Sequence, residues 1–104
     1  MVLVSIIIPV RNRPQDIARC LKSLLKQDFP KEDHEIIVVD NNSTDNTQEV
    51  IRQFPARYVF EPQVGRGPAR NKGVQESQGK YLAFIDSDCI ADPNWLKELV
   101  RGLR

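Results

Sequence analysis

Leu3-Val4-Ser5-Ile6-Ile7-Ile8-Pro9-Val10 decides the fold. The run is apolar almost throughout and continuous rather than alternating. A strand with one wet face alternates apolar and polar side chains, whereas a continuous run fits a strand covered on both faces, as in a parallel sheet between helices. The run follows no basic segment and stops far short of the ~20 apolar residues a membrane span needs. It therefore reads as a core strand, with neither a signal peptide nor a membrane span expected in this chain.

Outward from this strand, apolar runs alternate with segments of helical period. Pro14 suits a first helical position, and the helix it opens, to about Gln27, carries Ile17, Leu21, Leu24 and Leu25 on one face. Glu35-Ile36-Ile37-Val38-Val39-Asp40 is a second strand, rich in β-branched residues. A second helix is expected from about Asp45 to Phe54, with Val50, Ile51 and Phe54 as its apolar side, then a short strand Arg57-Tyr58-Val59-Phe60. A third helix runs from Pro68 to about Ser77, and Tyr81-Leu82-Ala83-Phe84-Ile85 is the fourth strand. Asp92-Pro93 signals the start of a last helix, with Leu96, Leu99, Val100 and Leu103 facing inward. Such alternation predicts right-handed βαβ units and an α/β fold, a three-layer α/β/α sandwich around a mainly parallel sheet of about four strands.

A chain of 104 residues supports one domain, residues 1–104, with an ordinary core. Fifteen basic against fourteen acidic residues leave a net charge of +1, which makes no electrostatic case for nucleic acid or an anionic membrane. Cys20 and Cys89 are too few and too far apart for a disulfide framework, and with His34 as the sole histidine no zinc spacing exists. A reducing cytoplasm is the expected setting, membrane-peripheral if a longer parent protein carries an anchor.

In an open α/β sheet, ligands bind beyond the carboxyl ends of the strands. Those ends collect Arg11 and Asn12, then Asp40, Asn41 and Asn42, then Asp86 and Asp88. The opposite ends are polar too (Lys31-Glu32-Asp33, Gln78-Gly79-Lys80), so polarity alone does not discriminate; the type does, Asp, Asn and Ser against interspersed Lys and Glu. Asp86 and Asp88, one residue apart at a strand end, point to one side if the backbone is extended. Two like charges held together are relieved by a divalent cation, and hard oxygen ligands suit Mg²⁺ or Mn²⁺. Asp also ends strands and starts turns for conformational reasons alone.

Asp40-Asn41-Asn42-Ser43-Thr44-Asp45 offers fixed donors and acceptors of the kind that read a base edge, and equally the residue types of a turn and a helix cap. Ser43 to Asp45 are assigned to capping and Asp40 to a ligand. Gly65-Arg66-Gly67-Pro68-Ala69-Arg70-Asn71 opens a helix, where glycines permit close approach of a ligand and Arg66 and Arg70 add cations for phosphate; a plain loop with surface arginines has the same composition. Cys89, without a histidine to activate it, is expected to be a small apolar filler, Cys20 to be in the core or partly buried, Trp95 to pack rather than to stack on a ligand, and His34 to lie at the surface.

Taken together, Val4 to Asn12, Val38 to Asp45, Gly65 to Gly73 and Phe84 to Asp88 resemble, in order and spacing, the N-terminal nucleotide-sugar-binding half of the inverting family 2 glycosyltransferases with the GT-A fold. The resemblance implies a truncated GT-A domain that binds a nucleoside-diphosphate sugar. Pro9, Val10 and Arg11 would line the base pocket, Asp40 and Asn41 would sit at the base, and Arg70 near the base or diphosphate. Asp86-Ser87-Asp88 would be the DxD motif, Asp88 the metal ligand, and Asp86 directed to the ribose or the metal. Many members carry a tyrosine where Arg11 stands and an acid where Asn41 stands, so UDP, dTDP and GDP sugars all stay open. The family's catalytic domain is about twice this length, in the ~200-residue range. No general base is found here, so the chain is expected to be inactive alone, as an excised piece or a natural stub. An uncovered sheet edge is expected to drive self-association. A non-catalytic α/β oligomerisation module is the competing class. A receiver-like or flavodoxin-like domain fits less well, because the carboxylate pair follows the fourth strand and no lysine ends a later one.

Overall fold

The structure, a computed structural model, describes residues 1–103. Four strands, β1 (Val4–Val10), β2 (His34–Asp40), β3 (Arg57–Phe60) and β4 (Tyr81–Phe84), form one sheet in the order β3-β2-β1-β4, every pair parallel. The helices are α1 (Pro14–Leu24), α2 (Thr47–Ile51), α3 (Arg66–Glu76) and α4 (Trp95–Leu103), with one 3₁₀ turn at Lys31–Asp33. The α/β alternation and the parallel sheet expected from the sequence are both present.

The continuous apolar run of β1 is explained by its place. It lies between β2 and β4, and its side chains alternate between two cores. Val4, Ile6, Ile8 and Val10 join Ile17, Cys20, Leu21 and Leu24 of α1, Ile51 of α2 and Leu96 and Val100 of α4. Ile7 joins Ile37, Val39 and Val59 of the sheet and Ala69 of α3 on the other face. The chain thus crosses from β3 to β4 behind β2 and β1, and α3 alone forms the third layer. Its approach is close because Gly73 has no side chain: a Cβ there would collide with Ile7 Cγ2 and lie 3.3 Å from Val39 Cγ2.

Several boundaries differ from the sequence expectation, each for a local reason. Helix α1 ends at Leu24 rather than Gln27, because Gln27 serves α4: its Nε2 donates to Asp92 O at 2.7 Å and its Oε1 accepts from Leu96 N at 2.9 Å. Helix α2 is limited to Thr47–Ile51. Asp45 Oδ1 accepts from Thr47 N and Oγ1 just before it, and tightened bonds from Gln53 N to Val50 O and Phe54 N to Ile51 O end it before Pro55. Helix α3 begins at Arg66, two residues earlier, since Ala69 N already donates to Gly65 O at 3.3 Å; Pro68 falls in the first turn, where its missing N–H costs nothing. Strand β4 stops at Phe84, and Ile85 leaves it into the turn that carries the aspartates.

Helix α4 starts at Trp95, after a turn in which Asp92 Oδ1 accepts from Asn94 N. Its buried stripe is narrower than expected. Leu96 and Val100 are buried, but Leu99 and Leu103 are 38% and 50% exposed, only partly covered by the described residues.

Gly73→Ala should cost about 1–3 kcal/mol, the range for overpacking a filled core, read as a lower urea midpoint. Gly67→Ala, where no atom lies within 4 Å of the added Cβ, should stay within about 0.5 kcal/mol of wild type.

Candidate functional site

The connection out of β1 runs toward β2, while the chain reaches β4 from β3 on the opposite face. The two crossovers therefore diverge between β1 and β4, and a crevice opens at the carboxyl ends of these strands. Ligands of open α/β sheets bind at such switch points. A cleft of about 480 Å³ lies there. Pro9 and Arg13 contribute from the β1 end, Phe84 to Cys89 from the β4 end, Arg66 and Arg70 from the first turns of α3, and Trp95 from the start of α4.

The loops around it are stitched by short polar side chains. Asn12, in the left-handed region at φ 54°, donates its N–H to Ser43 Oγ at 2.9 Å and accepts at Oδ1 from Thr44 N at 2.7 Å. Arg13 N donates to Thr47 Oγ1 at 3.1 Å. These bonds hold the β1 and β2 loops together and aim the chain at Arg13 toward the cleft. Ser43 therefore ties two loops rather than capping α2, in contrast to its expected role; Asp45 does bond the first turn.

Asp40 is 1% exposed, its Oδ1 accepting from Ser43 N at 3.1 Å and its Oδ2 from Tyr58 Oη at 2.5 Å. Asn41, 5% exposed, donates through Nδ2 to Glu61 O and Gln63 O and accepts at Oδ1 from Gly65 N at 2.9 Å. Both hold the β3–α3 loop and its neighbours, and their polar atoms are engaged within the chain. Val10 is buried and Arg11 is exposed away from the cleft lining.

Of the other expected site residues, Pro9, Arg70, Asp86, Ser87 and Asp88 meet in the cleft. The turn that presents the aspartates closes with Cys89 N donating to Asp86 O at 3.0 Å. It turns Cys89 outward, so this residue is exposed rather than the buried filler expected, and one ligand atom from each of Asp86, Asp88 and Cys89 lies within 4.8 Å of the others. Beneath it, Cys20 is buried as expected, its Sγ 3.8 Å from Asp86 O. Burial first, then the nearby Cys89 and Asp88, pushes its thiol pKa up to about 12, so Cys20 is inert packing. Trp95 packs on the main core, as expected, and also walls the cleft. Arg13, Phe84 and Trp95 also line the site; only the strand order brings them to it, so no local pattern in the sequence marks them.

The charges of the cleft are distinctive. Among the described residues, no ion pair includes Arg66, Arg70, Asp86 or Asp88; Arg13 alone pairs, with Asp16 at 3.7 Å. The amino edge of the sheet is the reverse. There Glu35 Oε2 accepts from Ser5 Oγ at 2.6 Å and from Gln78 N at 2.8 Å, Gly79 N donates to Ser5 Oγ, and Arg57 pairs with Glu76. Two carboxylates and two guanidinium groups that share a cleft without pairing suit a ligand that is itself an anion with a divalent cation: the arginines meet the one and the aspartates the other.

The chain is similar to known proteins in sequence and in fold. The model of glycosyl transferase family 2 matches residues 5–104. Glycosyltransferase AglE of Haloferax volcanii is 42% identical over 100 residues, which cover 90% of this chain and 33% of that protein. Staphylococcus aureus TarS 1–349, solved in complex with UDP, superposes with a TM-score of 0.89 at 31% identity over 97% of this chain and 32% of that one. The mannosyltransferase PcManGT of Pyrobaculum calidifontis, solved with GDP-Man and Mn²⁺, superposes with a TM-score of 0.91 at 27% identity over 96% of this chain and 32% of its own. The chain thus spans about a third of the length of these relatives.

Tyr58→Phe should cost about 1–3 kcal/mol, by leaving a buried Asp40 oxygen without its donor. Burial and the Asp40 carboxylate raise the Tyr58 pKa above its ordinary 10.0. The folded chain therefore keeps this proton longer than the unfolded one; the contribution is complete below pH 10 and is lost as pH rises beyond it. Urea unfolding at neutral and alkaline pH should show the two proteins converging only at the alkaline end.

Proposed function

The chain belongs to glycosyl transferase family 2, and from this we propose that it is the donor-binding half of an enzyme that moves a sugar from a nucleoside diphosphate to an acceptor hydroxyl with inversion. The observation that carries the proposal is the pairing pattern of the switch-point cleft: Asp86, Asp88, Arg66 and Arg70 line it together, and none of the four has an ion-pair partner among the described residues.

In this reading Asp86 and Asp88 hold a Mg²⁺ or Mn²⁺ ion, with Asp88 the principal ligand and Asp86 shared with the ribose. The fit is chemical: two exposed hard carboxylates with ligand atoms within 4.8 Å and no competing cation bonded to them. When bound, such an ion supplies Lewis-acid stabilisation of the departing diphosphate. Arg66 and Arg70, one helical turn apart on α3, neutralise the diphosphate oxygens and orient them. Ser87 lies in the same turn as a hydroxyl donor, and Trp95 keeps bulk water from one wall. Pro9 shapes the base end from the cleft wall, while the buried Val10 supports it from the core and Arg11, outside the cleft lining, flanks it. We assign Asp40 and Asn41 to the same end through the loops they hold, because their own polar atoms are engaged inside the chain. UDP, dTDP and GDP remain the candidate nucleotides. Acceptor binding and its deprotonation fall to other parts of a relative-length protein, and the chain alone binds the donor weakly without transfer. A cytoplasmic setting fits the two free cysteines. Among the described residues no helix is long and apolar enough to cross a membrane.

One observation favours a second reading, self-association. Among the described residues the outer edge of β4 pairs with no strand, and Leu82, Ile90 and Leu103 beside it or on α4 are 37%, 69% and 50% exposed. An unpaired edge with apolar neighbours invites a second copy. Sedimentation at high micromolar concentration should show dimers or larger species; a monomer throughout would remove this reading.

The main proposal is tested by isothermal titration of UDP, dTDP and GDP with Mn²⁺. One nucleotide should bind, and chelating the metal should weaken it. Asp88→Ala should lose at least about tenfold in metal-dependent affinity, since even outer partners of metal ligands cost that much. Equal binding by both proteins would take Asp88 out of the metal site.

A further inference from the structure

The Arg70 guanidinium carbon lies 4.4 Å from the centroid of the Phe84 ring. Both residues line the switch-point cleft. Phe84 is the last residue of β4 and pairs in register with Ile7, whose side chain faces α3. Its ring therefore stands on the α3 side, two residues before Asp86. It is 38% exposed, so its face is open to a neighbouring side chain, and the neighbour found there is Arg70.

Arg70 meanwhile has a choice of partners. Asp86 and Asp88 line the same cleft, and a bidentate pair with a carboxylate is the stronger of its options in isolation. Neither pair is formed. A guanidinium stacked flat on a ring keeps its N–H edge free while its face is held.

We propose that Phe84 is a positioning residue for donor binding: its ring holds Arg70 off the aspartates, with its N–H groups presented to the diphosphate, so that cation and carboxylates stay available to different parts of one ligand. This rests on the donor-binding reading given above. Phe84 touches the donor only through Arg70, and its effect on affinity should vanish when Arg70 can no longer stack or pair.

The experiment is a double-mutant cycle on the 104-residue chain, with UDP and Mn²⁺ titrated into wild type, Phe84→Leu, Arg70→Met and the double variant. GDP or dTDP replaces UDP if wild type prefers it, and circular dichroism confirms that each variant is folded. Phe84→Leu keeps the apolar bulk and removes the π face. It should weaken nucleotide affinity by about 2- to 5-fold, the size of an exposed cation–π contact, but change nothing further once Arg70 is Met. Phe84→Tyr, which keeps the face, should bind as wild type does. If Phe84→Leu weakens binding equally in both Arg70 backgrounds, or if Phe84→Tyr is as weak as Phe84→Leu, the inference is overturned while the donor reading stands. If wild type binds none of the three nucleotides, the donor reading falls and this inference falls with it.

Discussion

The structure depends on one constraint: β1 is shared by two parallel neighbours whose connections approach from opposite faces. A strand in that position must be apolar on both sides, which Val4 to Val10 supplies, and the helix behind it must come close, which Gly73 permits. The divergence of the crossovers leaves the crevice between β1 and β4 open at the carboxyl edge. The proposed diphosphate and cation site sits in that crevice. Burial of the β1 side chains is worth about 1.5–3 kcal/mol each when complete, so the strand that creates the cleft is also among the main sources of the stability that keeps it shaped.

Both edges of the sheet are polar but they differ in how their charges are used. At the amino edge, Glu35 collects Ser5 and the backbone of Gln78, and Arg57 takes Glu76, so the α3–β4 connection is latched to the start of β1 and β2. At the carboxyl edge, the amides and Asp40 are consumed in holding loops, while Arg66, Arg70, Asp86 and Asp88 are left without ion-pair partners among the described residues. Polar groups bonded within the chain build structure; solvent-facing charges left unpaired at an open cleft are available to a ligand. This distinction, rather than polarity, separates the working edge from the structural one.

The alternation of elements, the parallel sheet and the Asp86–Asp88 turn were legible in the sequence because each is a local pattern: a doubly buried run, a Pro at a helix start, two carboxylates at a strand end. Arg70 was legible through the family resemblance. Arg13, Phe84 and Trp95 were not assigned to the site, because membership depends on which strand ends are neighbours, and sequence order (β1, β2, β3, β4) differs from spatial order (β3-β2-β1-β4). Asn41 shows the reverse limit. Its amide suggested a base-reading group, but three bonds to the backbone of the β3–α3 loop engage it. Composition cannot distinguish a short polar side chain that waits for a ligand from one that holds a loop.

The central claim is that donor diphosphate and divalent cation meet at the β1/β4 switch point. Paramagnetic broadening by Mn²⁺ in amide spectra of the nucleotide-saturated chain tests it most directly. The account predicts loss of signal centred on Asp86 to Cys89, extending to Arg66 and Arg13 across the cleft, with Ser5, Gln78 and Gly79 at the far edge of the sheet unaffected. Broadening centred on the amino edge, or spread evenly over the acidic surface, would contradict it.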